Sequence, residues 1–295
     1  MSTSAPVMEG KVCVVTGATA GIGKETALAL ARMGATVVIV ARDAAKSART
    51  VDEIETAVAN AKVDVVLADF ASLAAVRSAA AEIGRRYGAV HVLVNNAGLA
   101  NRHRTLSADG FELTFAVNHL APFLFTRELM PLLRAGAPSR IVTVASAAEA
   151  HGPIDFDDLQ SEKNYRGFLV YGKSKLANVM FTYELAARLA GSGVTANCLH
   201  PGTVATDLLR KLPWLLYAVI SPFLLTPEQG AATQVFLASS PQVEGVSGGY
   251  YVKCRPARSS PRSYDASARK RLWEVSEAMV DSRSSIGSAE NIQEQ

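Results

Sequence analysis

The chain has 295 residues and a formal net charge of +3, with 49% hydrophobic and 19% charged residues. So near-neutral a balance gives no basis for nucleic-acid binding, and the apolar fraction is that of a globular chain with material for a large core. Residues 1–10 lack the apolar stretch of a secretion signal, and no run reaches the roughly 18 apolar residues a membrane span needs, so a cytoplasmic protein without a transmembrane span is expected.

In chain order, residues 11–15 form an apolar strand, and a glycine-rich turn leads into a helix over 23–33 that Gly34 closes. A β-branched strand over 36–41 precedes a helix over 44–59 and a strand over 63–68. Ser72 is placed to cap a helix over 72–87, followed by a strand over 90–95. A long helix over 111–133 contains Pro122, which starts or kinks it. Then come a strand over 141–146, a helix over 171–189, a strand over 194–200, a helix over 227–238 and a short strand over 249–252. The basic runs Arg85-Arg86 and Arg269-Lys270-Arg271 read as solvated helix faces. Three widely spaced cysteines, Cys13, Cys198 and Cys254, form no C-x-x-C pair and read as reduced thiols, the first two as buried filler. Strands apolar on both faces and separated by helices imply a parallel sheet covered on both sides. The expectation is a single α/β domain over 1–295, a doubly wound Rossmann-type sheet with helices on both faces. Residues 1–8 and 282–295 are expected to be loose tails.

The turn after the first strand is Thr16-Gly17-Ala18-Thr19-Ala20-Gly21-Ile22-Gly23. Residues without Cβ at a strand-to-helix turn let the backbone approach a pyrophosphate, and the helix that follows aims its amides and dipole at it. Gly17, Thr19, Ala20, Gly21, Ile22 and Gly23 are therefore candidate dinucleotide contacts. An enzyme using NAD usually ends its second strand with a carboxylate for the ribose 2′-hydroxyl. Here Ala41 and then Arg42 stand in that place, with Lys46 four residues on and Lys24 just past the glycine turn. A guanidinium fork suits a 2′-phosphate, which points to NADP(H). The competing expectation is that Arg42 pairs with Asp43.

Tyr171 and Lys175 stand four apart in Tyr-Gly-Lys-Ser-Lys and share a helix face. An ammonium about 4 Å from a phenolate, at an effective dielectric of about 20, contributes about 4 kcal/mol, or roughly three pKa units. Tyr171 can then act as a general acid/base for an alcohol/carbonyl pair. Ser146, at the end of the fifth strand, can hydrogen-bond the substrate oxygen. Asn118 sits in mid-helix, where its poor propensity calls for a reason such as holding a water beside Lys175.

Taken together these motifs resemble the short-chain dehydrogenase/reductase family. The T-G-x-x-x-G-x-G spacing of 16–23, the N-N-A-G at Asn95-Asn96-Ala97-Gly98, and Asn118, Ser146, Tyr171 and Lys175 in type and order carry the likeness. The resemblance implies an oxidoreductase in which those four residues form a catalytic tetrad. It implies that Asp69, in Ala68-Asp69-Phe70, meets the adenine, with helix capping as its other reading. It also implies that Asn95, Ala97 and Gly98 lie against the cofactor. The loop His200-Pro201-Gly202-Thr203-Val204-Ala205-Thr206 resembles the family's P-G loop. Pro201, Gly202, Val204 and Thr206 would then pack on the nicotinamide side, with Thr206 bonding the carboxamide.

Between Ser146 and Tyr171 lies an acidic-aromatic insert running from His151 through Tyr165. That insert, the continuation Tyr171-Gly-Lys-Ser-Lys-Leu-Ala-Asn178, the run Gly21-Ile-Gly-Lys-Glu-Thr-Ala27 and Leu272-Trp273-Glu274 resemble the retinol-dehydrogenase-like branch. That branch implies NADP(H) and a retinoid, sterol or other lipophilic alcohol or aldehyde. The chain departs from some members in having no N-terminal membrane anchor, and in reading Thr143-Val144-Ala145-Ser146 where many have two serines. The segment 212–225, LPWLLYAVISPFLL, follows the P-G loop; Trp214 and Tyr217 would line a substrate lid there. A core helix and a shallow membrane-surface contact are its other readings. His119, His151 and His200 lack a partner set, so no metal is expected. An NADP-sensing regulator on the same fold would be expected to have lost the tyrosine or the lysine, and both are present. Reaction direction and oligomeric state, a homo-oligomer included, stay open.

Overall fold

The computed structural model describes residues 7–202 and 225–282. Its strands are β1 (Val12–Thr16), β2 (Thr36–Ala41), β3 (Lys62–Leu67), β4 (Val92–Asn95), β5 (Ser139–Val144), β6 (Val194–His200), β7 (Tyr250–Val252) and β8 (Arg255–Ala257). Its main helices are α1 (Gly21–Arg32), α2 (Ala44–Ala57), α3 (Leu73–Arg86), α4 (Ala121–Ala135), α5 (Gly167–Arg188), α6 (Pro227–Ser239) and α7 (Ala266–Asp281). The strands form one sheet in the order β3-β2-β1-β4-β5-β6-β7-β8, parallel up to the antiparallel β7–β8 hairpin. No described helix is long and apolar enough to cross a membrane.

The period-two alternation of a strand assigns its residues to two cores. Cys13 and Val15 join Val37, Ile39 and Val94 under α1, α2 and α6. Val14 faces the opposite way, with Val38, Leu93 and Ile141 under α3, α4, α5 and α7. Both faces are thus covered, as expected for a single doubly wound domain. Strand order reverses between β1 and β4, which opens a crevice at their carboxyl ends, the usual ligand position in such sheets.

Several boundaries differ from the sequence reading. Met8, expected in a loose tail, is buried, and its amide bonds Met33 O at 2.9 Å. The helix expected over 111–133 is broken into three parts: a turn at Leu113–Phe115 capped by the Glu112 carboxylate, a π-turn at Ala116–Leu120, and α4. In the π-turn the Ala121 amide reaches back five residues to Ala116 O. Pro122 sits at the start of α4, where its missing N–H costs little. Helix α5 begins at Gly167, so Tyr171 lies in its second turn. Strand β8 was unforeseen, and so were the bounds of α7, whose N-terminus is capped by Asp265. Ser72 does cap α3, accepting the Ala75 amide. Val204, Thr206, Trp214 and Tyr217, with nearly all of 212–225, lie outside the described residues.

Candidate active site

The glycine turn is built around two close approaches. Gly17 has φ +67°, and a Cβ on it would stand 2.9 Å from Ala97 Cα. A Cβ on Gly23 would stand 2.5 Å from Gly17 O. Gly21, by contrast, faces open space. The first turn of α1 has no side-chain cap, so its leading amides stay available to an anion. Thr19, Ala20, Gly21 and Ile22 border that opening. A dinucleotide pyrophosphate fits this cradle, which stays free of side chains where a phosphate would sit.

The N-N-A-G stretch after β4 links the cradle to the helices beyond. Thr16 Oγ1 accepts the amides of Asn96 and Ala97, both at 3.0 Å. Asn96 Nδ2 bonds Thr16 O at 2.7 Å, and its Oδ1 accepts Gln234 Nε2 of α6, which Thr26 of α1 also engages. Two residues further on, a Cβ at Gly98 would stand 3.2 Å from Asn118 Oδ1 and 3.5 Å from Lys175 Nζ. One four-residue segment therefore touches the glycine turn at one end and the titratable cluster at the other.

Asn118, Ser146, Tyr171 and Lys175 come together there from the π-turn, the exit of β5 and α5. The π-turn aims Asn118 back at the β4 exit. Its Oδ1 accepts the Leu99 amide and its Nδ2 donates to Leu99 O, both at 2.8 Å, with Ser174 Oγ at 2.9 Å. The amide so clamps the backbone like a neighbouring strand. Ser146 Oγ accepts the Ala148 amide, which leaves its hydroxyl proton free to donate. Lys175 is buried; its Nζ donates to Val144 O at 2.9 Å and lies 5.7 Å from the Tyr171 ring centroid.

Burial sets the electrostatics. It pushes the Lys175 ammonium down to about 8 and the Tyr171 phenol up, with the Ser146 hydroxyl acting against the latter shift. The Lys175 ammonium, 5.7 Å from the Tyr171 ring centroid, favours the phenolate over the phenol. With these groups alone, Tyr171 rests as the neutral phenol.

Residues 11–214 match the family model described as short chain dehydrogenase. The chain belongs to the short chain dehydrogenase family. Retinol dehydrogenase 14 of Mus musculus is 42% identical over 290 residues, covering 93% of this chain and 87% of that protein. A crystal structure of an uncharacterised protein from Mycobacterium paratuberculosis is 32% identical with a TM-score of 0.77, covering 94% of this chain and 96% of the other. A protein described as an NAD(P)-dependent gluconate 5-dehydrogenase from Beutenbergia cavernae, solved with NADP at low occupancy, is 31% identical with a TM-score of 0.69, covering 84% and 97%.

Around the centre of this short chain dehydrogenase, the structure places the other residues singled out in the sequence. Asn95 turns inward to Thr126 Oγ1 at 2.9 Å, and its neighbour Asn96 holds the glycine turn. Nothing in the dipeptide itself distinguishes the two; only the alternation of β4 could have. The Phe70 ring is buried against Phe125 at 5.5 Å, so only its backbone can meet a nucleotide. Asp69 closes a local turn onto the Ala71 amide, and Ser72 is the helix cap. Lys24 is held by Glu53 at 2.6 Å, away from the cradle. Asp43 accepts the Lys46 amide and lies 3.8 Å from Lys46 Nζ, while Arg42 is exposed with no ion pair among the described residues. Pro201 and Gly202 follow β6, whose last residue, His200, accepts the Ala147 amide beside Ser146.

Sequence reasoning missed Phe168 and Leu169. They are 63% and 37% exposed in the turn of α5 just before Tyr171, with the His151 ring 5.8 Å from Phe168. The apolar run Phe168-Leu169-Val170 was the available signal. It also missed Lys173, buried between the two functional residues. Its ammonium donates to Asp158 O, Leu159 O and Ser161 Oγ and so ties the insert to α5.

Proposed function

We propose that this chain is an NADP(H)-dependent oxidoreductase acting on an alcohol/carbonyl pair of a lipophilic molecule, retinoid-, sterol- or long-chain-like, with Tyr171 as general acid/base. The observation that carries the reading is the meeting of Asn118, Ser146, Tyr171 and Lys175 at the β4 and β5 exits, one residue from the segment that braces the glycine cradle. NADP(H), when bound, supplies or takes up the hydride. Gly17, Gly21, Ile22 and Gly23 would receive its pyrophosphate, with Thr19, Ala20, Ala97 and Gly98 beside it. Tyr171 and Lys175 would also border the nicotinamide ribose.

Ser146 and Tyr171 donate hydrogen bonds to the substrate oxygen. As negative charge grows on that oxygen during reduction, the Tyr171 hydroxyl passes its proton to it, and the reverse transfer serves oxidation. The Lys175 ammonium, anchored on the Val144 carbonyl, stabilises the phenolate that remains. Asn118 holds the β4 exit against α5. Preference for NADP(H) is supported by the exposed guanidinium of Arg42 just after β2, which has no ion pair among the described residues while Asp43 is engaged by Lys46. The lipophilic substrate is supported by the likeness to retinol dehydrogenase 14 and by the apolar rim of Phe168 and Leu169 before Tyr171.

The test is Tyr171→Phe, assayed by NADPH absorbance against retinal and n-decanal. Turnover should disappear while NADPH fluorescence titration still shows binding; wild-type turnover in the folded variant sinks the assignment. Arg42→Ala should raise the Michaelis constant for NADPH far more than for NADH, and equal effects would refute the 2′-phosphate role. A wild-type enzyme that reduced small polar ketones as fast as n-decanal would overturn the lipophilic substrate.

A further inference from the structure

Behind the proposed acid/base pair lies a second line of polar groups inside an otherwise apolar layer. His119 follows Asn118 in the π-turn and is 1% exposed. Aromatic rings surround it, with centroids at 5.0 Å for Phe115, 6.3 Å for Phe123 and 6.2 Å for Phe181. Its Nε2 lies 2.9 Å from Ser276 Oγ of α7, itself fully buried. Its Nδ1 and the Oδ1 of Asn178 on α5 are both buried and have no hydrogen-bond partner within bonding distance among the described residues. The two orphaned atoms are complementary: an amide oxygen only accepts, and the Asn178 side chain acts to raise the imidazole pKa, which fits a proton on Nδ1 facing that oxygen and leaves Nε2 to accept from Ser276. Asn178 Nδ2 then reaches Val144 O at 3.5 Å, the same carbonyl that takes Lys175 Nζ at 2.9 Å.

The chemistry of this line argues for a purpose. A phenylalanine or leucine in the box of Phe115, Phe123 and Phe181 would fill it without desolvating two ring nitrogens. The buried imidazole is kept neutral, with its pKa lowered to about 4 by burial and the Asn178 side chain acting in the other direction. It therefore works near neutral pH as a fixed donor and acceptor and not as a charge. Three helical elements meet on it: the π-turn that presents Asn118, α5 that carries Lys175, and α7 near the chain end.

We propose that His119 is a positioning residue for the reaction: with Asn178 it fixes the π-turn that presents Asn118 and the Val144 carbonyl that anchors Lys175, and through Ser276 it couples α7 to the site. The inference rests on the acid/base reading of Tyr171 and Lys175. A change at Ser276, remote from the glycine cradle, should then be felt as a loss of turnover and not of cofactor binding.

The test compares His119→Phe, Asn178→Ala and the double variant, with NADPH as reductant and retinal and n-decanal as carbonyls. Each single change should lower kcat about tenfold, with both Michaelis constants within about twofold of wild type. The double variant should be no slower than the slower single variant, because both act along one line. Amide hydrogen exchange supplies a readout independent of turnover. The Leu99 amide, bonded to Asn118 Oδ1, should exchange faster in each variant while the amides of β1 and β4 keep their protection. His119→Gln, which retains a donor and an acceptor, should recover part of both losses. If His119→Phe does not fold, Ser276→Ala is read for the same two quantities. Wild-type kcat with unchanged Leu99 exchange, or additive losses in the double variant, overturns the proposal. If the wild-type protein turns over neither aldehyde, the functional reading fails on those substrates. Leu99 exchange still decides the positioning claim, a local rise supporting it and no change overturning it.

Discussion

At the scale of single residues, the site keeps a charge where burial opposes it. Lys175 titrates at about 8 in the folded chain, below its ordinary 10.5, because burial disfavours the ammonium. Below pH 8 both folded and unfolded chains hold the proton, and the burial penalty is felt in full. Between about 8 and 10.5 the folded chain sheds the proton first, so the penalty fades as pH rises. Lys175→Met should therefore stabilise the protein by about 1–2 kcal/mol at pH 7, once the lost bond to Val144 O is counted, and abolish turnover. Urea midpoints should show the gain at pH 7 and its disappearance at pH 10; a variant less stable at pH 7 would contradict it. The residue types of this cluster were legible because few side chains can hold and move a proton near neutral pH. What Asn118 does was not legible, since nothing in its neighbours says that its amide would pair with the Leu99 backbone. Asn95 and Asn96 are no easier to tell apart, for their identical side chains take different partners at the β4 exit, Thr126 and the glycine turn.

At the scale of elements, the insert 151–165 is fixed by a side chain that no motif explains. Lys173 spends all three of its donors on acceptors within residues 158–161, and Gly152 lies so close to α5 that a Cβ would stand 1.9 Å from the Lys173 amide. Lys173→Met should leave those acceptors bare at a cost of about 2–3 kcal/mol. Denaturant midpoints would measure that cost, and amide exchange should rise across 153–165 before it rises in the sheet. Exchange confined to wild-type levels would show that the insert is held by its buried Leu159 instead. Buried strands were read correctly because a parallel strand covered on both faces is a continuous apolar run. Strand β8 was not, because Arg255, Pro256 and Ala257 are exposed and carry no such pattern. Its turn also hides: Lys253 and Cys254 both take left-handed φ, at +50° and +59°, without the Asn-Gly or Asp-Gly that usually marks a hairpin. The start of α5 was missed because no capping side chain marks it at Arg166.

At the scale of the whole molecule, α7 closes the layer over α4 and α5. Trp273 stacks on Phe181 at 5.9 Å and meets Phe123 at 4.9 Å, and the Arg188 guanidinium lies 4.3 Å above its ring. His119 sits beneath this seam as a neutral imidazole, titrating at about 4 against an ordinary 6.5. The unfolded chain takes up that proton first, so stability is lost as pH falls from about 6.5 toward 4, by up to about 3 kcal/mol from this group. Urea midpoints of wild type and His119→Phe should converge or cross over that interval; a constant difference would remove the imidazole as the cause. The two layers themselves were foreseeable from the alternation of strands and helices, whereas the route by which the last helix reaches the centre depends on packing that no local pattern encodes.

The ends of the sheet carry a last consequence. At one end β3 shows solvent the charged side chains of Lys62 and Asp64, and at the other β8 contains Pro256, which has no amide hydrogen to offer. A second chain approaching either border meets ions or a missing donor. The composition of both edge strands therefore opposes extension of the sheet by another strand.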